Sequence, residues 1–203
     1  MDTTQNERVE RAWHRITTWC ERCAPGTAAT LRPSAGEQVV GAAERATGVM
    51  WPLELKHWYS LHDGVDFHDS DGEFLLGFMP TSLETLLQRH AWMVKLWADR
   101  PTRDNRTRKQ LIAEPAGTPA GVYLPCYLPI GALMDASSLV LDARRGTLAG
   151  AVREFDETKA DGTGAPPWSS LAELLEDVAG TLEQGRASKN RQVHRIVLQW
   201  KVP

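Results

Sequence analysis

Tyr127-Leu128-Pro129-Ile130, then Ser138-Leu139-Val140-Leu141-Asp142, then Thr147 to Phe155 follow one another, with Arg144-Arg145-Gly146 as the turn between the last two. Each run is short, apolar and bounded by turn-forming residues, which is the pattern of adjacent strands in a meander. Upstream the periodicity changes. Val9, Trp13, Ile16, Trp19, Cys20 and Cys23 recur at spacings of three and four, one stripe of a helix from about Thr4 to Cys23 that Ala24-Pro25-Gly26 stops. Ser34 with Glu37 reads as a capping box for a helix through Val40 and Ala43 to Gly48. Pro52 opens a third helix, with Leu55, Trp58, Tyr59 and Leu61 on its buried face and Asp63-Gly64 as its end.

Between helices and meander, Phe74 to Met79 is an apolar run stopped by Pro80 and reads as a buried strand. Thr81 with Glu84 forms a second capping box, opening a helix that carries Leu83, Leu86, His90, Val94 and Trp97. Residues 100 to 122 are rich in Arg, Pro, Gly and Thr, the composition of an exposed loop or insertion. Downstream, Leu171, Leu174, Leu175, Val178 and Leu182 share one face of a last helix, closed by Gly185. The final residues alternate, with Ile196, Leu198, Trp200 and Val202 on one side, so an edge strand is expected there. The order ααα, β, α, βββ, α, β implies an α+β fold: a central, mostly antiparallel or mixed sheet flanked by helices. One domain over residues 1–185 with an insertion at 100–122 is expected, and residues 186–203 form a basic linker and terminal strand packing on it.

The 203 residues carry 23 basic and 26 acidic side chains, a net charge of -3. That balance gives no general electrostatic case for nucleic acid or an anionic membrane as partner. No apolar run approaches the roughly 20 residues of a membrane span, and Met1-Asp2-Thr3-Thr4 lacks the basic start of a secretory signal, so a cytoplasmic location is expected.

Several strings resemble functional motifs without completing them. Trp19-Cys20-Glu21-Arg22-Cys23 resembles a redox site, but both cysteines fall at the C-terminal end of a helix, where the dipole disfavours a thiolate; core packing is the better reading. Cys126 lies too far away to complete a four-ligand zinc set by spacing. His62 to Glu73 gathers five carboxylates, Asp63, Asp66, Asp69, Asp71 and Glu73, and two histidines, without a Lys or Arg. A calcium loop aligned on Gly72 puts Phe67 and Phe78 where ligands belong. The cluster therefore reads as solvated acidic surface or as a surface for a basic partner. Its metal-dependent alternative is a hydrolase using these carboxylates with His62 and His68. The basic groups Arg100, Arg103, Arg106, Arg108 and Lys109, and Arg186, Lys189, Arg191 and Arg195, lack interleaved aromatics and read as solvated surface. Trp13, Trp19, Trp58, Trp92, Trp97 and Trp168 read as core anchors, whereas Trp51 or Trp200, if exposed, would mark a binding surface.

Taken in order, several strings resemble the SUKH superfamily, which includes the fungal Smi/Knr cell-wall-assembly regulators and many bacterial immunity proteins. They are Ile16 and Trp19 before Ala24-Pro25-Gly26-Thr27-Ala28-Ala29; Trp51-Pro52-Leu53-Glu54-Leu55; Leu61-His62-Asp63-Gly64; and Leu75-Leu76-Gly77-Phe78-Met79-Pro80 with Ser82-Leu83-Glu84. Leu128-Pro129-Ile130, Leu139-Val140-Leu141-Asp142, Glu154-Phe155-Asp156 and Trp168-Ser169-Ser170-Leu171 continue the series. The resemblance implies a sheet flanked by helices, no enzyme, no cofactor, and a module that binds a protein partner such as a basic toxin domain. It implies fold roles for Trp19, Gly64 and Asp142 as core anchor, helix stop and strand-end turn; Pro52 and Trp168 stand with them as fold-defining. The acidic residues Asp63, Asp66, Asp69, Asp71 and Glu73 are the expected partner-binding set.

Overall fold

The computed structural model describes residues 2–66, 73–102, 105–133 and 137–184. The described elements are α1 (Asp2–Cys23), α2 (Pro25–Ala29), α3 (Glu37–Thr47), α4 (Leu53–Leu61), β1 (Met79–Pro80), α5 (Leu83–Trp97), α6 (Arg108–Ala113), β2 (Tyr127–Ala132), β3 (Ser137–Asp142), β4 (Val152–Asp156) and α7 (Leu171–Gln184). The fold is α+β, with one antiparallel sheet in the order β1-β2-β3-β4. The expected terminal strand and basic linker at 186–203 lie outside the described residues.

Alternation along the strands divides the core in two. Leu128, Ile130, Leu139, Leu141 and Val152 point into a layer with α1, α4 and α7. Tyr127, Val140 and Phe155 point the other way, toward Met93 and Trp97 of α5 and Leu111, Val122, Tyr123 and Leu124. The sheet is thus the middle of three layers, and β2 and β3 are buried along their whole length. On the first layer α1 and α7 run parallel. Arg8 pairs with Glu176 at 2.6 Å and Arg15 with Glu183 at 2.5 Å, the same offset two helical turns apart.

The second layer corrects the expectation for residues 100–122. That segment is not an exposed loop: it contains α6, opened by a capping box between Thr107 and Gln110, and it buries Leu111, Ala116, Ala120 and Val122 against the sheet. Arg106 pairs with Glu114 and Arg108 donates to the Trp97 and Arg100 carbonyls, so these cations are structural rather than solvated. Four buried charges fasten the layer. Asp142 accepts from the Gly117 amide at 2.8 Å and from Arg144 at 2.6 Å, while Arg144 also donates to the Leu111 and Thr118 carbonyls. Asp161 accepts from the Ala120 and Gly121 amides and from the Tyr127 hydroxyl, and Arg153 reaches both Asp161 and the Gly117 carbonyl. Asp142 thus ends β3 as expected, and also anchors the cover of the sheet.

Other local readings shift by a few residues. Gly36, not Ser34, precedes α3, and no side chain caps that helix. Ser82, not Thr81, caps α5 by accepting from the Thr85 amide, while the Thr81 hydroxyl donates to the Pro129 carbonyl at 2.7 Å. The expected strand from Phe74 to Met79 is mostly a tight turn: Leu75 and Phe78 bridge across Leu76 at φ 54° and Gly77 at φ 96°, leaving Met79–Pro80 as strand. β4 begins at Val152 rather than Thr147. α4 follows Pro52 directly but ends at Leu61, before Gly64. Gly64, at φ 65°, serves a close approach: a Cβ there would stand 2.4 Å from the Ser82 nitrogen and the Thr81 carbonyl carbon. Trp168 is buried and donates to Asp177, Trp19 is partly buried against the first core layer, and Trp92 is half-exposed.

Candidate functional site

Contacts with distant parts of the same chain place the sequence-predicted site residues. Asp63 accepts from the Leu83 amide at 2.8 Å, placing its carboxylate at the start of α5, and from Arg32 at 3.3 Å. Asp66 pairs with the same guanidinium at 2.9 Å. Arg32 lies 31 residues before Asp63 and reaches the segment because Leu31 and Val65 bridge in antiparallel fashion. The acidic run therefore has a cation within it in space, although none in sequence. Glu73 is partly buried, and Asp69, Asp71 and His68 lie outside the described residues.

His62 is not beside these carboxylates. It is stacked on Trp13 with ring centroids 4.2 Å apart and edge-on to Trp58 at 4.5 Å, and its Nδ1 accepts from the Gly64 amide at 2.8 Å. Burial pushes its pKa down to about 3. The described part of the alternative metal-binding set thus does not converge: His62 is in the core, and Asp63 and Asp66 meet on Arg32. Among the described residues, no group of three or more His, Cys, Asp and Glu is placed to hold a metal ion. Cys20 is buried, with its thiol pushed up to about 12 by desolvation; Cys126 is likewise pushed up to about 12, and Cys23 is exposed.

Two adjoining concavities lie on another flank, at the starts of α1, α4 and α7. The larger, about 910 Å³, runs between α3 and α4, with Glu37, Gly41 and Glu44 on one wall and Leu53, Lys56 and His57 on the other. Glu44 braces it. Its carboxylate accepts from Lys56 at 2.7 Å and from the Trp51 amide at 2.9 Å, and the Trp51 indole donates to Thr47, so Trp51 is a buried strut and not the exposed anchor it could have been. Large apolar side chains stand out on the same segment: Met50 is 80% exposed and Leu53 51%.

The smaller recess, about 230 Å³, is lined by Gln5, Asn6, Glu54, Thr147 and Ser170 among others, and shares Asn6 and Leu53 with the groove. Glu54 is only 7% exposed. Its two oxygens accept from the Leu171 and Ala172 amides in the first turn of α7, at 3.2 and 3.3 Å. Desolvation raises its pKa, partly opposed by those two bonds and by the charge of Arg8. Gly150, at φ 92°, is what lets the carboxylate in, since a Cβ there would stand 2.5 Å from Oε1. Asn6 Oδ1 is sealed from solvent without a hydrogen-bond partner.

Sequence reasoning passed over Glu54 and Asn6, but a signal for Glu54 existed. Positions 54, 58 and 62 recur every four residues on the stripe that buries Trp58 and His62, so the Glu of Leu53-Glu54-Leu55 sits where an apolar side chain is expected. No family model matches this chain, and neither does any curated protein. No helix among the described residues is long and apolar enough to cross a membrane.

Proposed function

We propose that this chain is a non-catalytic protein-binding module, an immunity protein that neutralises a cognate polymorphic toxin or a related regulatory binder acting in the cytoplasm. The observation that carries the reading is the open groove between α3 and α4, with Leu53 half-exposed on its wall and Met50, three residues earlier in the chain, exposed. Large apolar side chains beside a concave, charge-lined surface are what a partner buries at the centre of an interface. The resemblance to SUKH proteins supports the same reading, and the run of Asp63, Asp66, Asp69, Asp71 and Glu73, still net negative with Arg32 beside it, would serve as long-range steering charge for a basic toxin domain.

The test is reconstitution. A partner captured by the tagged protein and identified should form a stable complex when both are purified, with association slowed by salt. Met50→Asp with Leu53→Asp should weaken that complex by about tenfold or more while leaving the melting temperature unchanged. Retention of full affinity in that double variant would move the interface elsewhere. Inability to reconstitute a complex with any captured protein would end the reading.

A further inference from the structure

The Glu54 recess has chemistry that capping α7 does not use up. A carboxylate offers about four acceptor sites, and the Leu171 and Ala172 amides take one on each oxygen, both at long distance. Arg8, whose charge acts on Glu54, is committed to Glu176 through bonds of 2.6 and 2.8 Å. Asn6 also lines the recess, with its Oδ1 enclosed. At its mouth Leu53 and Pro52 offer apolar surface, continuous with the groove. A buried anionic acceptor and an apolar lip together match one kind of group: a cation with N–H donors on an aliphatic stem.

We propose that the recess receives the guanidinium or ammonium of an arginine or lysine side chain from a protein partner, with Glu54 as its counter-ion and Leu53 and Pro52 along its stem. The proposal rests on the protein-binding reading and deepens it by locating the charge contact in the recess rather than in the acidic segment, where Asp63 and Asp66 already share Arg32. A partner side chain entering here would also bring its backbone over the groove, so that one anchor and one apolar contact surface act together.

The test uses methylguanidinium and n-butylammonium ions, then a short peptide with one central arginine, with sodium acetate as the anionic control. In amide-resolved NMR of the wild-type protein, the cations should shift the Leu171 and Ala172 resonances along a saturating curve, and acetate should not. A non-saturating drift equal to that of sodium chloride would overturn the proposal without need of any variant. Glu54→Gln removes the charge and keeps one of the two oxygens that accept from the α7 amides; it should weaken the cation by about tenfold or more, and equal affinity would overturn the proposal. Tighter binding of the peptide than of free methylguanidinium supports a protein side chain as the occupant, whereas equal binding assigns the recess to small free cations and overturns that part. A reconstituted complex indifferent to Glu54→Gln would sink the recess while leaving the binding reading intact; saturating cation binding with no reconstituted complex would do the reverse.

Discussion

His62 shows how a residue that looks reactive in sequence can be consumed by the core. Its ring fills the space between Trp13 and Trp58, and the neutral form is required because Nδ1 must accept from the Gly64 amide. A histidine whose folded pKa is about 3, against an ordinary value of 6.5, contributes stability that is fully present above pH 6.5 and is lost as pH falls toward 3. The unfolded chain takes up the proton first, so unfolding becomes easier by about 1.4 kcal/mol per pH unit across that window, on the order of 5 kcal/mol in all. Urea unfolding of wild type and His62→Phe at a series of pH values should show this slope in the difference between them; parallel curves would mean that His62 titrates normally in the folded protein. Two residues on, Gly64→Ala should cost about 3 kcal/mol or more, because the new Cβ would lie 2.4 Å from the backbone at Thr81 and Ser82 and at a left-handed φ. A melting temperature within a degree or two of wild type would show that this approach can relax. Gly64 was legible as a left-handed position from its place after Asp63. Its reason was not, since Ser82 approaches it only in three dimensions.

At the level of elements, helices were the easiest to read and strands next, because period three to four and short apolar runs are local properties. The misreadings share one physical cause. Residues 100–122 look like a loop because their composition looks solvated, and the buried charges that hold their backbone lie elsewhere in the chain: Asp142 and Arg144 on and after β3, Arg153 on β4, and Asp161 beyond it. The clue that the segment must pack was in the strands. Leu139-Val140-Leu141 is apolar at every position, which is the mark of a strand buried on both faces, and a second face needs a cover. Arg144 is the fastening of that cover. Arg144→Met leaves Asp142 buried and uncompensated and also orphans the Leu111 and Thr118 carbonyls, so a loss of about 3 to 5 kcal/mol is expected in urea unfolding. Asp142→Asn with Arg144→Met should be less damaging than the sum of the two single variants, because no bare charge remains. Strict additivity would mean that the pair does not act as a unit.

For the molecule as a whole, the three layers separate the work of folding from the proposed work of binding. The buried charges fasten the layer of α6 to one face of the sheet, whereas the groove and the Glu54 recess open among α1, α3, α4 and α7 on the other side. This division explains why the site was less legible than the fold: a groove is made by helix faces from separate parts of the chain, and the exposure of Leu53 and Met50 follows from how those faces meet. The joining of α1 to α7 bears on how rigid that side is. Arg8–Glu176 and Arg15–Glu183 are both about one-third exposed, so each contributes no more than about 1 kcal/mol and weakens with salt. Apolar packing of Val9, Trp13 and Ile16 against Leu174, Leu175 and Val178 therefore holds the two helices together. High salt should accordingly leave the melting temperature nearly unchanged while slowing association with a basic partner. The same separation should appear in variants: Arg144→Met lowers stability without changing the affinity of the molecules that remain folded, and Met50→Asp with Leu53→Asp does the opposite. Affinity lost in proportion to stability in both would mean that the two sides are coupled through the sheet, and that the groove exists only while the far layer is fastened.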